Sequence, residues 1–174
     1  VEPAHADALS ALGDIYLEEQ NYTKAKQYFD AALKNDEGNF IALLGEGAVL
    51  LQNKDYQKAA DTYSQAIQKE PEYAFSYMDR ARSRRALGDT AGAIRDLSDA
   101  IRLEPEYSWS YLDRGKLYLE SGKTDEALSD LSKAIELDPS VFSAYALRGE
   151  IYYRRGDYEK AFPDISMAVQ LKPE

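Results

Sequence analysis

A period of 34 residues runs five times along this chain without an insertion. In the fourth copy its skeleton is Tyr111, Gly115, Tyr118, Gly122, Ala127, Leu131, Ala134 and Pro139; adding 34 gives Tyr145, Gly149, Tyr152, Gly156, Ala161, Ile165, Ala168 and Pro173. The three earlier copies keep the pattern with changes: Ala81 and Arg84 in the third, Leu50 and Lys54 in the second, Gln20 and Glu37 in the first. A fixed period of this length marks a linear array, in which each unit hides its apolar face only by stacking on its neighbours.

Each period reads as two helices. Ser108 to Glu120 carries Trp109, Leu112, Gly115, Leu117, Tyr118 and Leu119, much of it at helical spacing. Ser121-Gly122-Lys123 breaks that run, and Gly122 suits a left-handed helix C-cap. Thr124 opens the second helix, with Asp125 and Glu126 where acidic side chains favour the helix dipole, and Pro139 stops it. The same spacing predicts pairs near 4–18 and 22–35, 40–52 and 56–69, 74–86 and 90–103, and 142–155 and 158–171. Pro163 predicts a kink or late start in the last helix. Short connections make neighbouring helices antiparallel.

Small residues form rows: Gly13, Gly47, Ala81, Gly115, Gly149 on first helices, and Ala25, Ala59, Ala93, Ala127, Ala161 and Ala32, Ala66, Ala100, Ala134, Ala168 on second helices. Larger side chains there would hold the helices apart. Bulky neighbours such as Phe29, Tyr63, Leu97, Leu131 and Ile165 fill the space around them.

At these residues the chain resembles the tetratricopeptide repeat family over about residues 6 to 174. The resemblance implies an all-α fold: a right-handed superhelical α-solenoid of antiparallel helix pairs with a concave groove lined mainly by first helices. It further implies a single domain over 1–174, with repeats at 6–39, 40–73, 74–107, 108–141 and 142–174, and a scaffold that binds peptide segments or partner proteins. A chaperone-binding subclass of the family grips a terminal carboxylate with a Lys, Asn, Asn, Lys, Arg set. The matching places here hold Ser10, Asp14, Gly45, Phe75 and Asp79 in one register, and the next two registers also lack the clamp.

Variation between copies locates candidate sites. Repeat register places Ile41, Leu44, Phe75, Met78, Trp109 and Leu112 on the concave side as an apolar strip, with Arg82, Arg85 and Lys116 beside it. Asp7, Asp14 and Glu18 make the first-repeat entrance acidic. Exposed apolar residues rimmed by charge mark interaction surfaces. The expected partner is a protein or peptide with apolar anchors and an acidic element; the alternative is that Phe75 and Trp109 pack between helices and the remainder is ordinary surface.

A second pattern is confined to the last three copies. Arg80, Arg114 and Arg148 share one row and Asp96, Asp130 and Asp164 another, while the first two copies have neither. The two types come and go together, which fits a structural Arg–Asp ladder, within a repeat or from one repeat to the next. Solvated surface charge is the other reading.

Composition narrows the function. A net charge of −10 and a pI near 4.7 argue against nucleic-acid or anionic-membrane binding. No apolar run approaches the length of a membrane helix. There is no cysteine, and His5 is the single histidine, so a Cys–His pair or a histidine-rich metal site cannot be built. No catalytic residue, metal or cofactor is expected. The chain begins without methionine, leader or apolar signal region, as an excised or processed piece would, and compartment is unassigned. The last helix leaves Phe162, Ile165, Val169 and Leu171 partly uncovered in this reading. Either more sequence follows in the full protein or this end pairs with another copy, which raises a second class of role, structural assembly by weak self-association through the C-terminal helix, alongside a regulatory module of a larger protein.

Overall fold

The computed structural model describes residues 3–172, and among these ten helices follow one another with no strand. They are α1 Pro3–Glu18, α2 Tyr22–Asn35, α3 Phe40–Gln52, α4 Tyr56–Lys69, α5 Ala74–Ala86, α6 Thr90–Leu103, α7 Ser108–Glu120, α8 Thr124–Leu137, α9 Phe142–Arg154 and α10 Tyr158–Leu171. Second helices therefore begin at 22, 56, 90, 124 and 158, so the period is kept to the residue. Pro173, the closing proline of the fifth copy, lies outside the described residues.

The turn inside each of the last three pairs explains Gly88, Gly122 and Gly156. After α7 the amide of Lys123 donates to the Tyr118 carbonyl at 2.8 Å, and that of Gly122 to Leu119 at 3.0 Å. This closure needs a left-handed residue, and Gly122 has φ +73°. Gly88 and Gly156 do the same at +81° and +77°. In the first two copies the same turn is made without glycine, by Gln20 at φ 59° and Lys54 at φ 63°.

Capping side chains fix several helix starts. Asn21 accepts from the Lys24 amide at 3.2 Å, Asn39 from Ala42 at 3.0 Å, and Asp89 from Gly92 at 2.9 Å. The late start expected from Pro163 does not occur, since α10 opens at Tyr158 in register with the other second helices. Pro163 is only the sixth residue of α10, so its missing amide removes one bond near the helix start.

The chain forms two compact units that divide between Asp96 and Leu97, inside α6. In the first unit, Phe29 packs with Ala25, Ala32, Ala42 and Val49, flanked by Leu9, Tyr16 and Leu33. Leu50, Ala59 and Tyr63 form a further cluster of that unit, with Leu44 and Leu51 against it. A methyl group on Gly45 would overlap the Phe29 ring, so glycine at that place admits the aromatic. In the second unit, Leu131 is fully buried among Leu112, Ala127, Ala134, Val141, Ala144 and Ile151. Burying each leucine of this kind contributes about 1.5–3 kcal/mol.

Candidate functional site

In the first unit, α3 and α5 present Ile41 and Phe75 to solvent at places 34 residues apart. Phe75 does not stand alone: Tyr73 lies 5.6 Å from it, ring to ring, and meets Phe40 edge-on at 5.2 Å. Leu44 and Met78 are half-buried, and Leu44 packs onto the Tyr63 cluster. The cations differ in how they are held. Arg82 donates to Asp79 at 3.1 Å yet stays largely exposed, and Arg85 is exposed as well. Both border an open cleft lined by Ala48, Leu51, Tyr63 and Asp79.

Burial is the chief influence on the groups in this cleft. It raises the Asp79 carboxyl above its ordinary range, against the pull of Arg82. It also pushes the Tyr63 phenol far up, with the Asp79 charge adding to the effect. Near α1, burial and then the neighbouring Glu18 raise Asp14. Asp7 is engaged through a polar chain: Asn39 donates to it at 2.8 Å, and Ser10 donates to Asn39 at 2.8 Å.

In the second unit, Trp109 is 46% exposed. Leu112 is not part of its surface, which corrects the expected strip. The two residues are three apart, so about 60° separates them around the helix, and that is enough to carry Leu112 from the exposed side of α7 to the edge that meets α8. There it is fully buried against Ala127 and Leu131. Lys116 donates to Asp113 at 2.9 Å. A separate cleft in this unit is lined by Leu119, Leu147, Glu150 and Arg154 among others.

The arginine row makes the most regular polar structure. Arg80 Nε donates to Asp96 at 3.0 Å and Nη2 at 2.7 Å, while Nη1 donates to Ser64 at 3.0 Å. Arg114 holds Asp130 at 2.8 and 2.9 Å and Ser98 at 2.9 Å. Arg148 holds Asp164 at 2.7 and 2.8 Å and Ser132 at 3.0 Å. Each aspartate belongs to the arginine's own repeat, and each serine to the repeat before. The serines are the residues missed from sequence, although Ser64, Ser98 and Ser132 recur at the same period. Ser64 gives its own proton to the Ala60 carbonyl at 2.7 Å, which leaves its lone pairs for Arg80. The hydrogen bonds to the aspartates raise Arg114 and Arg148, although burial opposes the shift.

Departures from the repeat are absorbed locally. Arg84, which replaces tyrosine in the third copy, donates to Asp96 at 2.7 Å beside Arg80. In the first two copies the arginine and aspartate places are filled otherwise. Tyr28 stacks on Tyr16 at 5.3 Å, and Glu46 lies 3.7 Å from Lys26. Burial raises the Glu46 carboxyl even so.

Among the described residues, no helix is long and apolar enough to cross a membrane. A family model described as tetratricopeptide repeat matches residues 1–40, 10–74 and 112–174. The chain belongs to the tetratricopeptide repeat family. Solved structures agree on the fold. PilF of Pseudomonas aeruginosa superposes with a TM-score of 0.89 at 21% identity, over 98% of this chain and 78% of that one. MamA of Desulfovibrio magneticus RS-1 gives 0.86 at 17%, over 96% and 94%. YrrB, described as a tetratricopeptide protein with an unusual peptide-binding site, gives 0.77 at 23%, over 93% and 84%. The sequence matches no curated relative. The fold class is accordingly the all-α solenoid of helix pairs, and the family is one of protein-interaction scaffolds.

Proposed function

We propose that this tetratricopeptide chain is a non-catalytic scaffold that holds a peptide or protein segment against its first-helix surface. The observation that carries the reading is the exposure in the first unit of Ile41 on α3 and of Phe75 and Arg82, which stand two turns apart on one side of α5. Tyr73 buttresses Phe75, so an apolar anchor meets a surface that is already ordered. Arg82 has one carboxylate partner and further donors, so an acidic side chain of the ligand can share it with Asp79. In the second unit, Trp109 and Lys116, two turns apart on one side of α7, offer the same pairing of an aromatic with a cation. YrrB, which shares the fold, is described by its peptide-binding site, and that fits this use of the surface.

Selection from a displayed library of random peptides tests the reading. Selected peptides are expected to combine apolar and acidic residues. Their affinity is expected to fall at least about tenfold for the pair Phe75→Ala with Arg82→Glu, as for loss of an interface hot spot. Trp109→Ala reports on the second unit separately. Unchanged affinity in all of these variants puts the binding face elsewhere.

A further inference from the structure

The open cleft between α3 and α5 holds at its floor a hydroxyl that the protein itself does not use. Tyr63 of α4 is 1% exposed and lines this cleft, yet among the described residues nothing hydrogen-bonds to its phenol. Its neighbours there are Asp79 and Arg82 of α5, whose charges both act on it. Burial keeps the proton on the phenol, so the group is offered to the cleft as a donor. The cleft measures about 570 Å3, which is room for an entering side chain.

Packing does not ask for that hydroxyl. The matching places in the other copies hold Phe29, Leu97, Leu131 and Ile165, and Phe29 is fully buried. The second unit forms a cleft at the equivalent position two periods on, where Leu119, Glu120 and Thr124 stand for Leu51, Gln52 and Tyr56. In that unit the places of Tyr63 and Asp79 are taken by Leu131 and Leu147. The polar floor thus distinguishes the first cleft from the second. A donor held at the floor of a cleft and tied to no protein acceptor fixes the orientation of whatever enters.

The charges select the entering group. Asp79 already has its counter-charge, because Arg82 donates to it at 3.1 Å. A carboxylate at the floor would stand against Asp79, and an ammonium would stand against Arg82; each meets a like charge. A neutral group with donor and acceptor side by side meets neither. A carboxamide is such a group, with one carbonyl and two amide hydrogens on one planar end. We propose that the cleft takes the carboxamide of a glutamine or asparagine in the bound segment, its carbonyl accepting from Tyr63 and its amide donating to Asp79. This rests on the peptide reading above and adds an element to it. The acidic element of the ligand meets Arg82 from the solvent side, where that side chain is 64% exposed, and the carboxamide enters beneath. Arg85, exposed at the border, adds to the cationic rim.

Parallel selections from the random-peptide library on the wild type and on Tyr63→Phe test the assignment, with circular dichroism to establish folding. Phenylalanine is native to this row at Phe29, so the variant loses a hydroxyl and little else. Wild-type peptides are expected to share a glutamine or asparagine at a fixed distance from the apolar anchor, and Tyr63→Phe peptides to be depleted of it. Resynthesis of one such peptide with glutamate, lysine or leucine at that position is expected to weaken binding to the wild type at least about fivefold. On Tyr63→Phe the advantage of the carboxamide over leucine is expected to shrink at least about threefold. Asp79→Leu, which copies Leu147, is a second variant with the same expectation. Tighter binding of the glutamate peptide overturns the proposal in favour of a carboxylate cleft. So does a carboxamide preference that is unchanged in both variants, or its absence from the wild type. Peptides whose affinity depends on Phe75 and Arg82 but not on Tyr63 sink this inference alone. A wild type that selects no peptide sinks it together with the reading it rests on.

Discussion

Arg114 grips Asp130 through two parallel bonds, Nε to one carboxylate oxygen at 2.8 Å and Nη2 to the other at 2.9 Å. Asp130 is nearly fully buried, and Arg114 is largely covered. Truncating the aspartate leaves a covered guanidinium without its counter-charge. Asp130→Ala is therefore expected to cost about 3–5 kcal/mol. Combining it with Arg114→Leu should cost clearly less than the two single changes added together. Urea unfolding of the four proteins in the cycle measures the coupling; additive costs would show the pair to be independent charges.

Two hydroxyls mark places where the repeat is not at its optimum. Ser76 on α5 and Ser110 on α7 are fully buried, and neither side-chain oxygen has a hydrogen-bond partner. The same row holds Ala42 and Ala144. Ser76→Ala and Ser110→Ala are each expected to raise stability by about 1 kcal/mol, because an unsatisfied buried polar group carries its desolvation cost. A lowered melting temperature for both would contradict this.

The left-handed turns give a third test. Gln20 and Lys54 stand at positive φ where the later copies use glycine. Gln20→Gly and Lys54→Gly remove a Cβ conflict of about 1–2 kcal/mol, and are expected to stabilise by up to that amount less the extra chain entropy of glycine. Gly122→Ala, at φ +73°, is expected to act in the opposite direction. Denaturant midpoints for the three variants decide it.

Acid dependence follows from Asp79, whose carboxyl is raised from the ordinary 3.8 by burial. Folded chains bind this proton at higher pH than unfolded ones. The stabilising contribution is thus complete below 3.8 and is lost as pH rises through the folded value. Asp79→Asn lacks that loss, so its stability relative to the wild type is expected to improve as pH rises across this window. Parallel stability curves for the two proteins would remove Asp79 as the cause.

Much of the fold was legible in the sequence because the repeat supplies the same signal five times. Gly88, Gly122 and Gly156 announce turns whose left-handed backbone costs glycine least. The alanine rows announce close helix approach, and Ala25, Ala59, Ala93 and Ala127 are fully buried. Side-chain direction was harder to read. Trp109 and Leu112 both look like surface candidates by position, but a rotation of about 60° between them separates solvent from core. Pro163 suggests a late start, but it is only the sixth residue of α10, where the missing amide costs a single bond and the helix keeps its register. Ser64, Ser98 and Ser132 went unnoticed because serine on a helix usually faces water, and only the arginine's third nitrogen gives it a task.

The arginine bonds also bear on the order in which the chain can assemble. Arg80 reaches Ser64, sixteen residues earlier, and Asp96, sixteen residues later. Arg114 and Arg148 keep the same two distances along the sequence. When such an arginine leaves the ribosome its serine has already been made, and the aspartate that completes the grip follows within one further helix. Each bond closes a short loop, and short loops close quickly. A nascent repeat can therefore latch backward onto finished structure and then lock itself, so that growth from the N-terminus never waits for a distant strand of chain to return.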